Sequence, residues 1–233
     1  MLIQRMYGKR VFEYVYDTGI LDSNVIAAHA CWLSENEIKI KKKTGTNIAY
    51  CPCVEMMISD GIAPAARLLS EGVNLSIALD CNSNNQTSDL FRDARVASLI
   101  HKNIPLLDPE VMPSEQMMET ITVNPAKALM WEKEIGSLKP GKKADILLID
   151  IKKPYFMPIV DIPKTNIISN LINAGSGNDV NTVIVDGKTI VKDRLVQTLN
   201  EEDVMVQFQK AAEDLMNRSK YKVQKGLLGW PIE

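Results

Sequence analysis

Histidine is scarce in this chain: its 233 residues include two, His29 and His101. A zinc hydrolase centre takes about three or four nitrogen, oxygen or sulfur ligands and keeps room for a water. Two imidazoles cannot build such a centre unaided. Cysteine is also sparse, and Cys31, Cys51, Cys53 and Cys81 include no Cys-x-x-Cys pair. That spacing excludes finger-type zinc modules and suits reduced thiols in a cytoplasmic protein. Phenylalanine occurs four times against eleven methionines, so flexible side chains fill part of the core. No apolar run reaches membrane-span length, and Arg5 comes too soon for a signal peptide, so neither anchoring nor secretion is expected. A net charge of −2 gives no drive toward nucleic acid or anionic membrane. Internal repeats and low-complexity tracts are absent.

What the chain does have is an alternation of short apolar strands with helical stretches. Val25 to His29, Thr46 to Cys51 and Val73 to Asp80 read as strands. A helix over Lys9 to Thr18 is stopped by Gly19. Ser34-Glu35-Asn36-Glu37 is a capping box that opens a helix running to about Lys43, closed by Gly45. Pro64 to Glu71 reads as a third helix, stopped by Gly72. A polar loop, Cys81 to Asp89, leads into helices over Leu90 to His101, Ser114 to Glu119 and Pro125 to Met130. This order predicts a parallel α/β unit. The pattern then changes to a turn at Lys139 to Lys143, a strand over Ala144 to Ile151, and a hairpin over Val180 to Val191 turning at Asp186-Gly187. A charged helix over Glu201 to Arg218 follows.

Parallel strands deliver their last residues to one rim, where α/β folds bind ligands. His29 and Asp80 share that rim, and all four cysteines fall within two residues of these strand ends. A mixed thiolate and imidazole site for a soft ion is one expectation, and cysteine as a small apolar filler is the other. Without a metal, Asp80 is expected to draw a hydrogen-bond donor from Asn82 to Thr87. Asp145 and Asp150 read as edge or turn residues. Lys139, Lys142 and Lys143 read as a solvated turn. The Lys39 to Lys43 run and His101 are expected to serve as cations at helix C-termini.

The stretches VIAAHACWLSENEI, SDGIAPAARLLSEGVNLSIALD, TVNPAKAL, EIGSLKPGKKADILLID and NDVNTVIVDGK span almost the whole chain in order. Together they resemble the C-terminal half of the metal-dependent amidohydrolases, in the branch of the methylthioadenosine/S-adenosylhomocysteine deaminases and triazine hydrolases. The resemblance implies an α/β fold: a partial (β/α)8 barrel, about strands six to eight, over residues 1–133. It also implies the C-terminal part of a small β-sandwich over 134–200, then a C-terminal helix and tail over 201–233. By the same resemblance His29 is a catalytic residue that contacts substrate and the hydrolytic water. Asp80 binds zinc and accepts a proton from that water, and Asn84 lies near the substrate. Tyr50 stands where members often have histidine, and Val54-Glu55 where they often have Ser-Asn. No counterpart of the family's His-x-His, or of its fifth-strand histidine and glutamate, is present.

Two functions remain open on the sequence. One is the C-terminal portion of a zinc-dependent aminohydrolase acting on a purine nucleoside or related heterocyclic amine, with another chain supplying the other barrel half. The other is a degenerate, non-catalytic remnant that self-associates as an assembly module.

Overall fold

The computed structural model describes residues 2–104, 107–161 and 163–219, without the side chain of Asn84. Helices α1 (Leu2–Tyr7) and α2 (Val11–Asp17) precede strand β1 (Ile26–Ala28). The order continues α3 (Glu35–Thr44), β2 (Asn47–Tyr50), α4 (Pro52–Met57), α5 (Ala65–Ser70) and β3 (Leu75–Ile77). Four helices then follow, α6 (Asn82–Asn85), α7 (Leu90–Asn103), α8 (Ser114–Thr120) and α9 (Val123–Ala128). The three strands form one parallel sheet in the order β1-β2-β3, with Ala28 opposite Ala49 and Ala49 opposite Ser76.

Local chemistry sets the helix ends. Ser34 Oγ accepts the Glu37 N–H at 3.3 Å while Glu37 Oε2 accepts the Ser34 N–H at 2.9 Å, so two orphan donors of α3 are satisfied at once. Gly45 closes that helix with a left-handed φ of 72°, a conformation that costs glycine nothing. Side chains two apart on a strand share a face. Ile48 with Tyr50, and Leu75 with Ile77, therefore point together into the helical layer. There they meet Ile38 of α3, Leu68 of α5, Ala94 and Ala97 of α7, and Met117 of α8. Each large apolar side chain so buried contributes roughly 1.5–3 kcal/mol.

The second sheet is an antiparallel meander in the order β4-β5-β6-β7. Its strands are β4 (Ile146–Ile149), β5 (Val180–Val185), β6 (Lys188–Lys192) and β7 (Leu195–Val196), with α10 (Ile167–Ala174) between β4 and β5. Asp186 and Gly187 turn β5 into β6 with φ of 48° and 78°. Asp193 and Arg194 repeat the device before β7 with 51° and 65°. Asp89 ties the two parts together. Its Oδ1 accepts the Phe91 N–H at 3.0 Å as the N-cap of α7, and its Oδ2 accepts the Gly177 N–H at 3.0 Å. Ile172 of α10 is fully buried in the same core as α7 and α8. Helix α11 (Glu201–Ser219) has no buried residue.

Several expectations are corrected. Each parallel strand is shorter than its apolar segment. Helices α1, α4 and α10 and strand β7 were not foreseen, and the polar stretch after Asp80 includes the short helix α6. Lys41 stands in the last turn of α3 with Lys42 and Lys43, as expected, but it is fully buried, with Nζ 3.3 Å from the centre of the Phe12 ring. Burial lowers its pKa to about 8. His101 is buried against Tyr50, and burial lowers it to about 4, so at neutral pH it brings no charge to the end of α7. Lys142 does not simply face solvent: its Nζ donates to the Ile135 carbonyl at 2.9 Å and to that of Glu132.

Candidate active site

His29 follows β1 directly, and its N–H donates to the Ala49 carbonyl at 2.8 Å. His29 and Ala30 then take left-handed φ of 66° and 67°, which turns the chain sharply away from the strand end. Such angles are uncommon for residues with a Cβ and cluster at functional sites. On the same rim the ladder extends one step through Ala78 N–H to the Tyr50 carbonyl at 2.8 Å. Asp80 comes two residues later, also left-handed with φ of 57°. The parallel register thus sends His29 and Asp80 to the same end of the sheet, from its two outer strands.

Asp80 is exposed, and no hydrogen bond to its carboxylate occurs among the described residues. The expected donor from the following segment goes elsewhere. Asn85 turns inward, is 1% exposed, and donates to the Leu79 carbonyl at 3.0 Å and to Asp93 Oδ2 at 3.1 Å. The chain does fold back over the end of β3, but onto Asp93 rather than Asp80. Asn84 belongs to α6, and its side chain lies outside the described residues.

A residue that sequence reasoning passed over completes the rim. Glu55 of α4 is fully buried and points back toward the strand ends. Its Oε1 accepts the Cys51 N–H at 3.2 Å and lies 3.5 Å from His29 Nδ1. Burial pushes the Glu55 carboxyl above its ordinary range. The Cys31 thiol, the Cys51 and Ala63 N–H groups and His29 draw it back. Farther into the helical layer Asp93 is also fully buried and raised by burial, beside Cys53 and Asn85.

The cysteines do not converge. Cys31 Sγ lies 3.8 Å from Asp60 Oδ2, Cys53 sits by Asp93, and Cys81 is exposed with Sγ 3.0 Å from Ser83 Oγ. Burial pushes the Cys31, Cys51 and Cys53 thiols up to about 12. With the thiols on separate partners, the described residues gather no mixed thiolate and imidazole site, which corrects the expectation of a soft-ion centre. Among the described residues no three His, Cys, Asp or Glu side chains are placed to hold a metal ion. Asp80 and His29 alone fall short of a zinc centre, so the residues here do not fit a complete one. A cleft of about 720 Å³ lies beside β1 and is lined by Arg10, Phe12, Ala28, Ala30, Trp32 and Glu37, with neither Asp80 nor His29 among its walls.

Parallel strands that end on polar residues, flanked by helices and followed by an antiparallel sheet, define the class: a mixed α/β fold that presents its polar residues at the strand ends. The comparisons with known proteins narrow it. The pattern of the Amidohydrolase family matches residues 4–190, and the chain belongs to that family. It is 38% identical over 218 residues to the 5'-deoxyadenosine deaminase of Methanosarcina mazei, covering 94% of this chain and 49% of that protein. It is 38% identical over 208 residues to the 5-methylthioadenosine/S-adenosylhomocysteine deaminase of Moorella thermoacetica, covering 89% of this chain and 47% of that one. The chain thus spans about half the length of the curated relatives it matches. Among solved structures, an adenosine deaminase from Xanthomonas campestris with bound zinc superposes with a TM-score of 0.87 at 24% identity, covering 92% of this chain and 48% of that one. Atrazine chlorohydrolase from Arthrobacter aurescens, complexed with zinc, gives 0.79 at 20% identity over 89% and 45%. These two likenesses show the fold. Among the described residues no helix is long and apolar enough to cross a membrane.

Proposed function

We propose that this chain is the C-terminal portion of a hydrolase that deaminates an adenosine-like nucleoside. The reaction exchanges the amino group on the purine ring for a water-derived oxygen and releases ammonia. The observation that carries this reading is the 38% identity, over 94% of the chain, to a protein named for deaminating 5'-deoxyadenosine. The rim geometry supports it, since His29 and Asp80 leave the two outer strands at the same end of the sheet. In this reading β1, β2 and β3 are barrel strands six to eight, and residues 1–133 are the barrel share. Residues 134–200 contribute to a β-sandwich and 201–219 form the terminal helix, while the expected tail, 220–233, lies outside the described residues.

His29 contacts the substrate and orients the attacking water, Asp80 takes the proton that water gives up, and Asn84 lies near the sugar or base. Zinc, when bound, would activate the water, with Asp80 as one ligand and the remaining ligands contributed by residues outside this chain. The other half of the barrel, whether in the same or another polypeptide, completes the site in this reading.

The test compares two preparations. The 233-residue chain produced alone, with zinc added, is expected to leave the ultraviolet band of 5'-deoxyadenosine unchanged. The tagged chain isolated from its own cells with its bound partners is expected to convert it, and Asp80→Asn is expected to abolish the conversion. Conversion that survives Asp80→Asn, or no conversion in the native preparation, would overturn the reading.

A further inference from the structure

We propose that Glu55 is a positioning residue for His29: its buried carboxylate holds the imidazole as the tautomer protonated on Nδ1 and so leaves Nε2 free at the rim. The inference rests on the reading of His29 as a pocket residue, and it concerns a position where this chain departs from the Ser-Asn of its family resemblance.

The geometry converges on one carboxylate. Glu55 lies in α4, which begins at Pro52 directly after β2. Its first-turn position lets the side chain reach back over the N-terminus, where Oε1 accepts the Cys51 N–H at 3.2 Å. The same oxygen is 3.5 Å from His29 Nδ1. That separation is in ion-pair range and slightly long for a closed hydrogen bond, as catalytic contacts often are before substrate is bound. His29 Nδ1 and Glu55 Oε2 are both buried and both lack a hydrogen-bond partner. An orphan buried donor costs about 1–3 kcal/mol, and a small movement that closes the 3.5 Å gap to Glu55 Oε1 satisfies His29 Nδ1. His29 is otherwise 35% exposed, so the ring presents one nitrogen to Glu55 and its opposite edge to the rim.

The surroundings keep Glu55 dry and fixed. Trp32 Nε1 donates to the Asp60 carbonyl at 2.7 Å, which straps the segment after α4 across the Cys31 loop. A Cβ added at Gly61 would stand 3.1 Å from the Trp32 ring, where φ is already 121°. The strap therefore requires glycine at this close approach. Beneath it the Cys31 thiol and the Ala63 N–H face the same carboxylate. A dry acceptor held behind an imidazole decides which ring nitrogen carries the proton.

The experiment is a two-bond proton–nitrogen correlation spectrum of the full chain labelled with nitrogen-15. The chain has only two histidines, and His29→Gln identifies the His29 signals by their loss. In the wild type a pyrrole-type shift is expected at His29 Nδ1 and a pyridine-type shift at Nε2. Glu55→Gln keeps an acceptor oxygen at the same reach and should keep that tautomer. Glu55→Met keeps the length without the oxygen and should move the ring to the Nε2-protonated form preferred in water. A wild-type ring already protonated on Nε2, or a Glu55→Met protein with an unchanged tautomer, would overturn the proposal. Near-ultraviolet circular dichroism confirms that the variant folds. If Glu55→Met does not fold, the wild-type spectrum alone still decides. The measurement needs neither substrate nor metal, so a failure here is distinct from a failure of the deaminase reading. In the active native assembly Glu55→Met should lower kcat on the order of 10–100-fold with KM little changed.

Discussion

His101 meets Tyr50 edge-on, with ring centroids 5.8 Å apart at 65°, and is 2% exposed. Its Nε2 has no hydrogen-bond partner, so the ring is tolerated there only while neutral. Burial lowers its pKa from 6.5 to about 4. Between those values the unfolded chain binds more protons than the folded one, so stability falls as pH falls. The full loss is about 3 kcal/mol. Glu55 and Asp93, raised by burial, work in the opposite direction, which makes the comparison between variants more telling than any single curve. His101→Phe keeps the edge contact and should retain most of its stability on moving from neutral pH to pH 4, in urea melts where the wild type loses it. Equal losses in both proteins would place the acid sensitivity elsewhere. Lys41 has the same logic at the other end of the scale. Its folded pKa of about 8 lies below its ordinary 10.5, so wild-type stability should rise as pH climbs through that interval. Lys41→Met should flatten that rise and add about 1–3 kcal/mol at neutral pH, since the Phe12 ring offsets part of the desolvation in the wild type. A loss of stability in the same melts would mean that the contact with Phe12 outweighs burial of the charge.

Among the elements, α7 depends most on one residue. Asp89 caps it through the Phe91 and Arg92 N–H groups, at 3.0 and 3.3 Å, and reaches Gly177 ahead of β5 with its other oxygen. Asp89→Ala removes an N-cap worth about 1 kcal/mol and a further bond of similar size. A loss of about 1–2 kcal/mol in thermal or urea melts is expected, and a change within error would show that water replaces both roles. Signals of this local kind are also what made elements legible in the sequence. The Ser34 box, the Gly19, Gly45 and Gly72 stops and the Asp186-Gly187 turn each act within a few residues, and each element they delimit is present. Elements without such a signal were missed. Helix α10 has no side-chain cap at Asn166, and its packing against α7 and α8 is a tertiary fact. The Asp193-Arg194 turn uses positive φ without glycine or asparagine. In the candidate site, His29 and Asp80 were visible because strand ends follow from apolar runs. Glu55 was not, because its meaning depends on α4, and its contact with His29 joins residues far apart in the chain. The substitution reads as erosion along the sequence, whereas the fold aims its carboxylate at an imidazole.

At the scale of the whole molecule, the parallel sheet leaves two strands with one unpaired side each. β1 and β3 flank β2, and each is three residues long. Closed barrels have no such edges, and open ones pair with other chains unless they are covered. Shortness blunts an edge, yet the surface beside β1 adds apolar area: the cleft there is lined by Phe12, Ala28, Ala30 and Leu33, and Trp32 is 74% exposed. Helix α11 adds a second apolar face, since Val204, Phe208 and Leu215 are exposed at helical spacing along one side. Apolar surface on this scale is unusual for a stable monomer. The 233-residue chain by itself is therefore expected to sediment at low micromolar concentration as a species larger than its 26.0 kDa. Two substitutions separate the surfaces. His29 N–H bonds across to β2, so the alternation along a strand directs the Ala28 N–H to the open side. Ala28→Pro removes that donor and should dissociate a species held by the β1 edge. Phe208→Glu places a charge in the α11 stripe and should dissociate one held there, while leaving an edge-paired species intact. A sharp monomer with a cooperative melt in the wild type would show that the existing helices already protect the sheet, and a partner half would then meet a preformed surface rather than displace a second copy.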